Sequence, residues 1–324
     1  MFRTSRISAL PRITALFGTA VLLFAACGSD SSTDTESGGG EQTSVEATTS
    51  PGPESTDISV AAGPVATKII SLSPSATEML FAIGAGDQVI AVDDQSNFPA
   101  EAEAKKTDLS GFTPNLEAIV ALKPDLVVHD GSTDLATQLD GLGIANWVGS
   151  AATSFDDIYV QIEQLGAATG HIAEAAELVS TMQTAIDAAV ASVPKLDKPP
   201  RYYHELDNTL YSVTSNTFIG EVYGLFDLQN IADTAEGGTD YPQLSAEFVI
   251  SQSPDLVFLA DGKCCGESPE TVSARPGWDA ISAVATGNVV MIDDDVASRW
   301  GPRVVDYVET VSAAMANVAA MSAG

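Results

Sequence analysis

The chain is poor in the residues that most chemistry needs. Its 324 residues include three histidines and three cysteines. His129, His171 and His204 do not stand at mutual metal-ligand spacing, and nothing resembles a zinc signature. There is no phosphate loop and no nucleophile elbow, so no catalytic residue, metal or cofactor is assigned. Basic residues are scarce as well: 14 Lys plus Arg stand against 44 Asp plus Glu, a formal net charge of −30. Such a surface repels nucleic acid and anionic membrane, and it argues against a strongly anionic ligand. The apolar run near the start, Ile13 to Ala26, is too short for an ordinary spanning helix.

That run makes sense as a leader. Arg3, Arg6 and Arg12 precede it, and it ends in Phe24-Ala25-Ala26-Cys27. Residues 1–26 therefore read as a secretory signal peptide. Small residues directly before a cysteine resemble a bacterial lipoprotein cleavage site, which would make Cys27 the acylated first residue. A plain secreted protein with a free Cys27 is the alternative. Residues 27–64 are Ser, Thr, Gly, Glu and Pro with almost no aliphatic side chains. They cannot bury enough apolar surface to fold and suit a flexible leash. The expected location is the extracytoplasmic face of the cell membrane, held by lipid.

The remaining body of about 260 residues is long enough for two cores. Two stretches in it repeat one another. Asn115-Leu-Glu-Ala-Ile-Val-Ala-Leu-Lys-Pro-Asp-Leu-Val-Val128 matches Ser245-Ala-Glu-Phe-Val-Ile-Ser-Gln-Ser-Pro-Asp-Leu-Val-Phe258. Glu117 pairs with Glu247, Pro124 with Pro254 and Asp125 with Asp255. Each copy reads as an N-capped short helix, a proline stop and a buried strand. A unit repeated at domain-scale spacing implies two similar lobes, and a cleft between lobes is where small ligands sit. Strands over Thr67–Leu72, Gln88–Val92, Leu126–His129 and Ile144–Val148 alternate with helices, as in a parallel α/β sheet. The rhythm breaks over Phe155–Val193, one long helical pattern with Gly166 and Gly170 as candidate nicks. It resumes with strands at Arg201–Leu206, Leu256–Leu259 and Val289–Ile292, and ends on a helix over Val304–Met321. The expected fold is thus two similar α/β lobes, residues 65–153 and 195–324, joined by a single long helix over 154–194.

Ser71-Leu-Ser-Pro-Ser-Ala-Thr-Glu-Met-Leu-Phe-Ala-Ile-Gly84, the twin Glu units, the single long helix and Gly301-Pro302-Arg303 together resemble one family. It is the substrate-binding lipoproteins of bacterial ABC importers for cobalamin and iron–siderophore complexes. The resemblance implies a monomer that binds a corrinoid or ferric siderophore and delivers it to an ABC transporter permease. It further implies that Glu117 and Glu247, on the upper surface of each lobe, dock onto permease arginines. A glutamate in a helix's first turn is also favoured by the helix dipole alone. Direct metal-ion or haem binding, and a tethered ligand sensor, are alternative uses of the same architecture. His204-Glu205 and His129-Asp130 place titratable pairs at strand ends, but no nucleophile accompanies them and an enzyme is not expected.

Loops at the carboxyl ends of the strands should line the cleft. They select Gln95, Phe98, Phe112 and His129-Asp130-Gly131 in the first lobe. In the second they select His204-Glu205-Leu206, Tyr241 and Arg299-Trp300. The resemblance places Tyr241 at a pocket aromatic and Arg299 at a cleft arginine of the cobalamin binders. Gly111-Phe112 stands where those relatives carry a tryptophan. Cys264 and Cys265, adjacent in a loop near the cleft mouth, invite a strained intramolecular disulfide in an oxidising envelope; free thiols or an intermolecular pairing are the alternatives.

Overall fold

A computed structural model describes residues 64–322; the leader, Cys27 and the linker up to residue 63 lie outside the described residues. The first lobe runs β1 (Ile69–Ser71), α1 (Pro74–Ala82), β2 (Val89–Val92), α2 (Ala100–Glu103), α3 (Leu116–Ala121), β3 (Leu126–His129), α4 (Leu135–Gly141) and β4 (Asn146–Val148). Its four strands are parallel, in the order β2-β1-β3-β4. Two helices follow, α5 (Phe155–Thr169) and α6 (Ile172–Ser192). The second lobe holds β5 (Arg201–Glu205), α7 (Phe218–Gly224), β6 (Gln229–Asn230), α8 (Ala246–Gln252) and β7 (Leu256–Leu259). It continues with α9 (Gly262–Cys265), α10 (Pro269–Ser273), α11 (Ser282–Thr286), β8 (Val289–Met291), α12 (Asp294–Ser298) and α13 (Val304–Ser322). Its sheet, again parallel, runs β6-β5-β7-β8, the same topology as the first.

The repeated stretches fold alike for local reasons. Asn115 Oδ1 accepts from the Ala118 amide at 3.1 Å and Ser245 Oγ from the Phe248 amide at 3.1 Å, so each helix starts on a side-chain cap. Each helix is followed by a non-glycine residue in the left-handed region, Lys123 (φ 53°) and Ser253 (φ 42°), directly before its proline. The aspartate that follows clasps the neighbouring strand. Asp125 accepts from the Thr67 and Lys68 amides at 3.0 and 2.8 Å, while its own amide donates to Lys68 O at 3.0 Å. Asp255 accepts from the Arg201 amide at 2.9 Å and returns a bond to Arg201 O at 2.8 Å. The Pro-Asp-Leu-Val repeat is thus a register clasp at the start of β1 and of β5.

The long helical pattern is two helices rather than one. Gly170, at φ 79°, ends α5 in a left-handed cap. Gly166 lets the pair approach closely: a Cβ there would lie 2.5 Å from the Cβ of Ala175. α5 packs on α1 of the first lobe and α6 on α13 of the second. One continuous buried cluster links all of this. It includes Ile69, Leu80 and Val128 from the first lobe, Ile162, Met182 and Ile186 from the two helices, and Tyr202, Phe258 and Tyr307 from the second lobe. Inside the second-lobe part, the Tyr307 hydroxyl donates to the Tyr223 hydroxyl at 2.8 Å, and the latter lies 2.8 Å from His204 Nδ1. Complete burial pushes His204 down to about 3, so the imidazole is neutral there.

Candidate ligand cleft

In each sheet the chain order reverses between the two central strands. The crevice beyond their carboxyl ends is the usual ligand position in open α/β sheets. In the first lobe this point lies beyond β1 and β3, in the second beyond β5 and β7. The loops after β2 and β8 meet across the gap: the Asn97 amide donates to Asp295 at 3.1 Å, and Arg299 donates to Gln95 O at 3.1 Å. The carboxyl ends of the two sheets therefore face one another.

The two switch points are built from different chemistry. The first gathers hydroxyl groups around one buried acid: Asp93, at the end of β2, accepts from the Ser96 amide at 3.0 Å, and burial raises its pKa. Thr77 Oγ1 donates to Ser71 Oγ at 2.8 Å and lies 2.9 Å from Ser96 Oγ, all three side chains being buried. His129 is buried and burial lowers its pKa; its Nδ1 accepts from the Gly131 amide at 3.2 Å. The second is charged. Glu205 is fully buried and held bidentately by Arg275, at 2.7 Å from Nη1 and 2.5 Å from Nη2. Arg275 also meets Glu267 at 2.9 Å and lies over the ring of Trp278, 4.5 Å from its centroid. Asp261 is buried beside this group, and neither carboxylate oxygen has a hydrogen-bond partner. Desolvation, with the nearby charge of Glu205, pushes its pKa up to about 8.

The expected cleft residues divide into two groups. Gln95, Phe98, Phe112 and Tyr241 are exposed, Phe112 at 72% and Tyr241 at 53%. Two aromatic side chains left so open on loops around a cleft are candidates for stacking on a flat ligand. Asp130 is half-buried and accepts from the Ser132 amide at 2.9 Å. Glu205 and Arg299, by contrast, are ion-paired within the protein. Glu205 is neutralised by Arg275, as above. Arg299 donates to Glu78 at 2.9 Å and to Asp295 at 2.8 Å. Arg303 donates to the same Glu78, through Nε at 2.8 Å, and lies over the Phe98 ring at 4.3 Å. Glu78 is not among the residues that the sequence singles out. Its only sequence signal is an acid on the inner face of an otherwise apolar helix.

Cys264 and Cys265 stand unbridged in this structure. They sit within the short helix α9, whose amides at Lys263 and Cys264 donate to the Asp294 carboxylate, each at 2.9 Å. A ring between consecutive residues would force their peptide out of that helical geometry. Burial and the neighbouring thiol push Cys264 up to about 12, so it is protonated at neutral pH. Glu117 and Glu247 are exposed, each the second residue of its helix. Among the described residues no group of three or more His, Cys, Asp or Glu is arranged to hold a metal, and no helix is long and apolar enough to cross a membrane. A cavity of about 990 Å³ lies away from the cleft. It lies between Pro194–Pro200 and the end of α13, at the amino-terminal side of β7 and β8.

Two parallel α/β lobes around a crevice, bound together by helices, are an architecture suited to holding a small ligand. Comparison with known sequences agrees: residues 69–296 match the periplasmic binding protein family, and the chain belongs to that family. An ABC transporter substrate-binding lipoprotein of Bacillus subtilis is 31% identical over 255 residues, covering 76% of this chain and 78% of that protein. A cobalamin-binding protein of Halobacterium salinarum is 32% identical over 261 residues, covering 77% and 69%. The solved structure of a vitamin B12 binding protein from Vibrio cholerae superposes with a TM-score of 0.63 at 28% identity, covering 77% of this chain and 96% of that one.

Proposed function

We propose that this chain captures a corrinoid, or a neutral or cationic ferric siderophore, outside the cytoplasmic membrane and delivers it to an ABC importer. The observation that carries this reading is the likeness of the whole two-lobed body to cobalamin-binding relatives. The cleft supports it. Phe112 and Tyr241 offer apolar faces on opposite lobes, and the surrounding acids favour an uncharged or positive ligand. The test is a thermal-shift panel of cyanocobalamin, ferric hydroxamates and haemin on the purified body. Cyanocobalamin or a hydroxamate should raise Tm in a concentration-dependent way. A shift with haemin alone, or with none of the panel, rejects the reading.

We further read Glu117 and Glu247 as permease contacts and Cys27 as the lipid anchor. The two glutamates are exposed and stand at the same place in two equivalent helices, as a partner with two similar subunits would require. Rim charges act mainly on association rate and its salt dependence. The double variant Glu117→Ala/Glu247→Ala should keep ligand affinity and lose at least about tenfold in uptake. Normal uptake, or lost ligand binding instead, rejects the docking role. Cys27→Ser should move the body from the membrane fraction to the soluble one.

A further inference from the structure

The described body contains four arginines, Arg201, Arg275, Arg299 and Arg303, and each already has protein partners. Arg201 donates to Ser253 O at 3.1 Å, near the amino-terminal side of β7 and far from the crevice. Arg275 is committed to Glu205 and Glu267 beneath the second switch point. Arg299 and Arg303 are different. They flank Gly301 in the segment after α12, where the two lobes meet, and their side chains keep 10% and 16% exposure. Both converge on one carboxylate from the opposite lobe, Glu78 of α1, which is only 2% exposed.

A guanidinium is the side chain best shaped to take a carboxylate or phosphate in two parallel bonds. Two of them at a cleft rim would make a ready anion site. With Glu78 in place their donors are turned inward, and Asp295 takes a further share of Arg299. We propose that Glu78 is a specificity-determining residue of the cleft: by holding Arg299 and Arg303 across the lobe interface, it withdraws the cations that would otherwise accept an anionic ligand. This inference rests on reading the crevice as the ligand site.

The test compares Glu78→Gln with the parent protein, using haemin as an anionic probe through its two propionates and cyanocobalamin as an uncharged one. The ratio of haemin affinity to cyanocobalamin affinity should rise about tenfold, the effect of one additional charge-assisted hydrogen bond. The increase should weaken with added salt. It should disappear in Glu78→Gln/Arg299→Met/Arg303→Met, which removes the released cations. Asp295→Asn, which leaves the buried carboxylate untouched, should give a smaller shift in the same direction and stands in if Glu78→Gln folds poorly. A folded variant with an unchanged ratio, or an increase that survives loss of both arginines, overturns the inference. A parent protein that ignores cyanocobalamin rejects the corrinoid reading instead; the rise in haemin affinity on substitution still decides the role of Glu78.

Discussion

The first lobe closes its switch point with hydroxyl groups, an imidazole and the buried acid Asp93, with no ion pair among them; the second closes the equivalent point with the Glu205–Arg275 ion pair and a further acid, Asp261. The sheets have one topology and the repeated clasp is the same, so backbone architecture does not require this difference. A hydroxyl network such as Ser71–Thr77–Ser96 costs little to bury when each member is bonded. A buried carboxylate costs much more and is tolerable only with its partner in place. Polar groups beneath a cleft are therefore unequal in what their loss costs: removing a hydroxyl costs the body little, removing one partner of the ion pair costs it much more.

Breaking the ion pair should expose that inequality most clearly. Arg275→Met leaves Glu205 buried without a counter-charge and should cost about 3–5 kcal/mol of unfolding free energy. Thr77→Val in the first lobe removes one neutral donor and should cost about 1 kcal/mol. Chemical denaturation of both variants measures the gap. Equal losses would mean that the charge cluster carries no special penalty.

A pH series sharpens the same contrast. Asp261 is held near 8 in the folded chain against an ordinary value near 3.8, so folding takes up a proton between those limits. Ionisation then opposes the folded state, and stability falls as pH rises from about 4 to about 8. Asp261→Asn removes that loss. The variant should melt close to the parent at pH 4 and above it by a margin that grows up to pH 8. A constant offset across that range would assign the effect to packing instead.

The smallest expected effect tests where the lobes are alike. Lys123 and Ser253 both occupy the left-handed region ahead of a proline. Lys123→Gly and Ser253→Gly should each stabilise by up to about 1 kcal/mol and by similar amounts, since the strain is local. Stabilisation in one lobe only would show that neighbouring side chains, not backbone conformation, hold that residue in place.

Much of this architecture is legible in the chain itself, because the signals are short-range. The N-caps at Asn115 and Ser245, the prolines at 124 and 254 and the apolar strands each act over a few residues. Their repetition reveals two lobes of one kind. Short helices such as α9 to α12 span too few turns to show a period. The break at Gly170 is legible as a glycine but not as a change of direction, which depends on how closely Gly166 meets Ala175. The polar site is least legible. Arg299 and Glu78 are separated by 221 residues, and Arg275 and Glu205 by 70. No local pattern links such partners, so an arginine destined for a buried acid looks the same in sequence as one waiting for a ligand.

The continuous core has a consequence for how the molecule comes apart. Its buried side chains form one cluster that runs from the first sheet through α5 and α6 into the second. Neither half can lose its packing and leave the other's intact, so the body should melt in a single calorimetric transition, with van't Hoff and measured enthalpies in agreement, despite its two-part outline. The slowest-exchanging amides, those that open only on global unfolding, should be protected by a cleft ligand to the same extent at Ile69, Met182 and Tyr307.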